Sequence, residues 1–252
     1  MPKKNQQYIV VFDMDETLGH FEQLSIFWDV LNDYFKKKYN KKIDKKELYN
    51  IIDNFDKILR PKILNILEYL KRKKESKLCD KVIIFTNNTS KEWSNLISNY
   101  FNYKLEYNLI DQVIAAYKSK GKLIEPNRTQ YDKSFIDLIN CTKLPEDTQV
   151  CFFDDVMHPD MEHKNVVYLK IKPYVYSYKN EDMIDNYYKK YLYNLVDKKD
   201  FLNNMKDMMN LYEYKYFKKS DLEQKIDILL SKRLMEHLDI FFKGKKQKLF
   251  TL

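Results

Sequence analysis

The chain has little of what loosens a backbone. Three Gly and six Pro in 252 residues exclude long flexible linkers between modules. Cysteine is scarce and odd in number. Cys79, Cys141 and Cys151 lack metal-ligand spacing, and Cys151 sits inside an apolar run as a packed thiol. The odd count and the packed thiol favour a reducing, intracellular setting, nuclear or cytoplasmic. No apolar stretch is long enough to cross a bilayer. Only seven residues precede the first apolar run, too few for a secretory signal, so neither secretion nor a membrane partner is expected. The four histidines, His20, His158, His163 and His237, show no ligand spacing and read as structural. There is no internal repeat.

What remains is an ordinary globular composition, 44% hydrophobic and 33% charged, with a formal charge of +8. The lysines are scattered along helical stretches rather than gathered in a basic block, so direct nucleic-acid binding is not expected. The positive balance serves solubility and would also suit a phosphorylated partner. The ending KGKKQKLFTL is basic and reads as a loose terminus, with a localisation signal as the alternative.

Four continuous apolar runs read as strands buried on both faces: Tyr8–Phe12, Val82–Phe85, Val150–Phe153 and Val166–Ile171. Helical periodicity fills the gaps. Thr89 and Glu92 suggest a capping box after the second run, and Pro61 can open the preceding helix. The expected fold is α/β, a Rossmann-like parallel sheet with ligands at the strand C-termini. Residues 1–20 and 60–175 make the expected core, 21–59 a helical insert, and 176–252 a helical C-terminal extension. Within that extension Met183, Ile184, Tyr187, Tyr188, Tyr191 and Leu195 make one apolar stripe. Leu222, Ile226, Leu229 and Leu238 make another behind a capping box at Ser220 and Glu223.

The first run ends in Asp13-Met14-Asp15-Glu16-Thr17, the second in Thr86-Asn87-Asn88, and the third in Asp154-Asp155. In a parallel sheet these ends meet along one edge. Acids crowded there repel one another, and burial raises their pKa values. A hard divalent cation with oxygen ligands resolves the conflict, and Mg²⁺ suits it. A nearby lysine would offset further charge.

These motifs resemble the haloacid dehalogenase superfamily of phosphotransferases. Asp13, Asp15 and Thr17 match its D-x-D-x-T, Thr86 its second motif, Lys133 its lysine before a helix, and Asp154-Asp155 its acidic pair. Lys118, Lys120 and Lys122 are alternatives for the lysine. Asp13-x-Asp15-Glu16-Thr17-Leu18 with His20 close behind, Arg60-Pro61, and Arg128-x-x-Tyr131-x-Lys133 narrow the likeness. They are similar to the RNA polymerase II C-terminal domain phosphatases, over about residues 8 to 175. Motif two here is Thr-Asn-Asn and motif four Asp-Asp, which departs from the usual pattern of that group.

The resemblance implies an aspartyl-phosphate mechanism with Asp13 as nucleophile and Asp15 as general acid, then base. Thr86 and Lys133 would hold phosphoryl oxygens, and Thr17, Asn87 and Arg128 would contact substrate. Asp13, Asp154, Asp155 and the Asp15 main-chain carbonyl would ligate Mg²⁺. The implied substrate is phosphoserine or phosphothreonine in protein. The alternatives are a small-metabolite or nucleic-acid-end phosphatase, or a catalytically silent binding module. Motif matches end before residue 180, so the tail is expected to be accessory to the site. The sequence leaves the oligomeric state open.

Overall fold

A computed structural model describes residues 6–244 and 250–251. Residues 245–249 and 252 of the basic ending lie outside the described residues. In chain order, β1 (Tyr8–Phe12) is followed by α1 (Glu22–Tyr39), α2 (Lys45–Asn54), α3 (Ile63–Glu75), β2 (Lys81–Phe85), α4 (Lys91–Lys104) and β3 (Ile110–Ile114). Next come β4 (Lys118–Ser119), β5 (Lys122–Leu123), α5 (Phe135–Thr142), β6 (Gln149–Asp154) and β7 (Val166–Lys170). The last elements are α6 (Asn180–Tyr187), α7 (Lys198–Met209), α8 (Asp221–Phe242) and the two-residue β8 (Phe250–Thr251).

The fold is α/β. One parallel sheet runs in the order β3-β2-β1-β6-β7-β8, and β4 and β5 form a separate hairpin. From β1 the chain winds outward to β2 and β3, then returns to place β6 on the other side of β1. The strand order therefore reverses between β1 and β6, and a crevice opens at such a point beyond the strand C-termini. Phe12 pairs in register with both Ile84 and Phe153, so Asp13 and Asp154 leave their strands at the same level.

The period of two decides which way these acids face. Ile9 and Val11 of β1, Ile83 and Phe85 of β2, and Val150 and Phe152 of β6 share one buried cluster with Phe135 and Leu138 of α5. Asp13 continues the series of Ile9 and Val11, and Asp154 that of Val150 and Phe152. Both carboxylates thus end on the α5 face. On the opposite face Phe12 stacks on Phe153 with ring centroids 4.9 Å apart.

The chain divides into two compact units, and the division differs from the sequence expectation. One unit comprises residues 1–19, 60–174 and 222–252, and the other 20–59 and 175–221. The expected insert and the first half of the expected tail are therefore one helical unit. The reason lies in their stripes, each too small to bury alone. Phe27 of α1 meets Tyr187 of α6 edge-on at 5.4 Å, and Tyr34 meets Phe201 of α7 at 5.2 Å. The Tyr187 hydroxyl donates to Glu47 of α2 at 2.6 Å, and that of Tyr34 to Asp200 at 2.9 Å. Leu195, by contrast, is exposed.

α8 belongs to the sheet unit, which corrects its reading as part of an accessory tail. Leu234, Leu238 and Phe241 are buried, Phe241 meets the Tyr8 ring at 5.6 Å, and Tyr69 of α3 donates to Asp239 at 3.2 Å. Its inward stripe also differs. Asp227 and Ser231 are buried, while Leu222 and Leu229 are exposed. Three smaller expectations shift as well. Ser90, not Thr89, caps α4 by accepting from Trp93 N at 3.2 Å. α3 starts at Ile63, two residues past Pro61, because Lys62 takes a left-handed turn at φ 61°. Strand β3 escapes the sequence reading because Asp111 and Gln112 interrupt its apolar run.

Candidate functional site

Lys133 organises the strand ends. It precedes α5, whose N-cap Ser134 accepts from Asp137 N at 3.1 Å and so fixes where the helix starts. Its ammonium lies 5.9 Å from the centre of the Phe85 ring and 5.8 Å from that of Phe152. From there Nζ donates to Asp13 Oδ1 at 2.5 Å and to Asp154 Oδ2 at 2.6 Å. All three side chains are buried. Lys118, Lys120 and Lys122 lie on or beside the β4–β5 hairpin, and none is buried.

Asp155 completes an acidic cluster. One carboxylate oxygen from each of Asp13, Asp154 and Asp155 can lie within 4.8 Å of the others. Burial pushes Asp13 up to about 6, with Asp154 adding to the rise and Lys133 opposing it. Burial also raises Asp154 and Asp155. For Lys133 burial pulls the other way, but the charges of Asp13 and Asp154 outweigh it and hold the ammonium above its ordinary value. One lysine faces three carboxyls, so negative charge is left over. Three hard oxygen donors at that spacing fit a divalent cation. Asp13, Asp154 and Asp155 would hold it, and the Asp15 carboxylate stands outside this set.

The remaining residues singled out in the sequence divide in two. Thr17 is buried and donates from Oγ1 to Asp155 Oδ1 at 3.3 Å, so it orients a cluster acid. Thr86, past the end of β2, accepts from Asn88 N at 3.0 Å, which leaves its hydroxyl proton to be donated. Asn87 and Arg128 engage each other, Nη2 to Oδ1 at 2.9 Å. The sequence offers both as substrate contacts. In the structure the buried Arg128 guanidinium is taken up by bracing the loops. It donates to the main-chain oxygens of Thr86, Ala115, Tyr131 and Asp132 at 2.8–3.2 Å. Tyr131 is exposed and pairs edge-on with Tyr117 at 5.5 Å.

Sequence reasoning missed two contributors. Asn88 donates from Nδ2 to Asp15 Oδ2 at 3.0 Å and so aims that carboxylate. His158 is buried with Nε2 3.5 Å from Asp154 Oδ2, and its Nδ1 accepts from Lys133 N at 3.4 Å. Nδ1 also lies 3.7 Å from Asp132 Oδ1. Burial, reinforced by Lys133, pulls His158 down to about 4, so it is neutral at physiological pH. Its offset of four from Asp154 was the one signal in the sequence.

Neither a protein-family model nor a curated protein matches the chain. Among the described residues no helix is long and apolar enough to cross a membrane.

Proposed function

We propose that this protein is a Mg²⁺-dependent phosphomonoester hydrolase working through an aspartyl-phosphate, of the haloacid dehalogenase type, with phosphoserine or phosphothreonine in protein as substrate. The observation that carries the reading is Lys133 Nζ bonded to both Asp13 and Asp154 beside Asp155. This arrangement lies where the strand order of a parallel sheet reverses. A structural ion pair has no need of a third carboxylate left short of positive charge; a site for anionic phosphoryl groups and a cation does.

The chemistry follows from the residues. Asp13, Asp154 and Asp155 would hold Mg²⁺, which would supply positive charge for phosphoryl oxygens and favour the ionised carboxylates. A carboxylate oxygen of Asp13 forms the new bond to phosphorus as the ester P–O bond breaks. Asp15, aimed by Asn88, gives its proton to the departing alcohol oxygen. In the second half a water oxygen bonds phosphorus, Asp15 takes the water proton, and the acyl-phosphate bond breaks to return Asp13. Lys133 and the Thr86 hydroxyl steady the phosphoryl oxygens. A protein substrate is favoured by the sequence resemblance and by the charge of +8.

The test is turnover of an aryl phosphate with and without Mg²⁺, then kcat/KM for phosphoserine peptides against sugar phosphates and nucleotides. Activity should vanish in excess chelator and favour the peptides. Undiminished turnover in chelator would contradict the metal role, and a metabolite preferred a hundred-fold (about 2.7 kcal/mol) would redirect the substrate assignment. Mg²⁺ should also raise the Tm. Because the cation competes with the proton on Asp13, that rise should be small at pH 5 and grow as pH passes about 6. Asn88→Ala should lower kcat by roughly ten- to a hundred-fold, the usual scale for losing a side chain that orients a working carboxylate. Unchanged kcat would remove Asn88 from the site.

A further inference from the structure

Thr86 and Lys133, which steady the phosphoryl oxygens in the reaction above, come from separate stretches of the chain. Thr86 follows β2, and Lys133 precedes α5. The Arg128 side chain reaches both. It is buried at 2% exposure, with its guanidinium 4.9 Å from the centre of the Phe85 ring, the same ring that Lys133 Nζ approaches at 5.9 Å.

The two ends of the fork divide their bonds among three segments. Nη1 donates to Thr86 O at 3.2 Å and to Ala115 O, just past β3, at 2.8 Å. Nη2 donates to Asn87 Oδ1 at 2.9 Å, Tyr131 O at 2.8 Å and Asp132 O at 3.2 Å. Two of these acceptors bear directly on the site. Thr86 O belongs to the residue whose hydroxyl is left free to donate. Asp132 O shares a peptide unit with Lys133 N, and that N–H donates to His158 Nδ1 at 3.4 Å. A peptide unit is planar and turns as one body. Holding Asp132 O therefore fixes the direction in which the Lys133 side chain departs.

The two stretches differ in their other support. Beyond β2 the chain stays tied to its neighbour, since Thr86 N donates to Ile114 O at 2.9 Å and Ala116 N to Asn88 O at 3.1 Å. Residues 124–134, by contrast, form neither helix nor strand, and Tyr131 and Asp132 are exposed. Irregular backbone of that kind opens easily unless something buried holds it. A lysine could not replace the arginine here, because one compact ammonium cannot span acceptors that the planar fork meets from two nitrogens.

We infer that Arg128 is a positioning residue that sets Thr86 and Lys133 relative to each other by clamping the main chain beside both. The catalytic arm of this inference rests on the proposed phosphatase reading, whereas the clamp itself does not.

The experiment therefore reads both. In Arg128→Lys, amide hydrogen exchange at residues 86–88 and 131–133 should accelerate about tenfold or more while exchange in β6 stays as in the wild type. Arg128→Gln should loosen the same amides and serves if the lysine variant does not fold. With an aryl phosphate and Mg²⁺, kcat should fall at least about tenfold with KM nearly unchanged, as expected of misplaced rather than missing groups. Thr86→Ala supplies the further control. If Arg128 acts partly through Thr86, the two losses in kcat should combine to at least about threefold less than their product. Wild-type exchange at either stretch in a folded variant would overturn the inference. So would loosened amides with unchanged kcat, or losses that multiply in full. Loosened amides in a protein whose wild type turns over no phosphomonoester would keep the clamp and sink the phosphatase reading instead.

Discussion

Asp13→Asn should yield a folded protein whose turnover of phosphomonoesters is at least about ten-thousand-fold slower than that of the wild type. Losses of that order follow removal of a covalent nucleophile, because an amide oxygen cannot form the acyl-phosphate and no second group takes over the step. The fold should tolerate the change. The amide is nearly isosteric, Lys133 keeps Asp154 as its partner at 2.6 Å, and the Asp13 main chain still donates to Phe153 O at 2.8 Å. Burial already raises the Asp13 carboxyl to about 6, so a neutral side chain there removes a strain as well as a charge. Steady-state kinetics on a purified variant, with circular dichroism to show that it is folded, decides the matter. Turnover within a hundred-fold of wild type would rule Asp13 out as nucleophile.

Lys133→Met should produce the largest loss of stability. The ammonium is buried between two buried carboxylates. Removing one partner of a buried pair costs about 3–5 kcal/mol because the other is left without compensation. For a chain of this size each kcal/mol moves Tm by roughly 2–4 °C, which puts the expected fall near 10 °C. The loss should depend on pH in a definite direction. A carboxyl whose folded pKa is raised above its unfolded one costs nothing where both states are protonated. It destabilises progressively as pH climbs through the folded value. Asp13 is raised to about 6 even with the lysine in place, and Asp154 is raised too. The variant should therefore be less impaired at pH 5 than at pH 7.5. Denaturant unfolding at the two pH values measures this. A loss below about 1 kcal/mol at pH 7.5, the scale of an exposed pair, would show that Lys133 is not the compensating charge.

The strands that carry the acids were legible because each is a continuous apolar run ending abruptly in polar residues. That pattern is hard to produce except in a sheet buried on both faces. The meeting of Asp13 with Asp154 follows from the same runs once parallel pairing is assumed, since a period of two sends both to one face. Less was visible where a residue acts through the main chain. Nothing in Arg60-Pro61 names the carbonyls of Glu16, Thr17 and Lys172 as its partners. Arg128 was legible as part of a spacing, but spacing cannot distinguish a guanidinium that meets substrate from one absorbed by loop carbonyls. The α8 stripe was misread because its buried face includes Asp227 and Ser231, and a search for apolar periodicity passes over polar residues with buried work. The union of residues 20–59 with 175–221 depends on contacts between distant stretches, which local periodicity does not encode.

The order in which the sheet is threaded also constrains how it can be made. β1 lies at the middle of the sheet, yet one of its two neighbours, β6, is written more than half a chain later, with Tyr8 aligned on Gln149. A strand as apolar as Ile9–Phe12 must therefore wait, one edge uncovered, while most of the polypeptide is synthesised. Contacts this distant in sequence slow folding, and an open apolar edge in the interval invites pairing with another chain. Ribosome-bound intermediates ending before β6 are thus the species in which association with chaperones, or with one another, has the strongest physical motive.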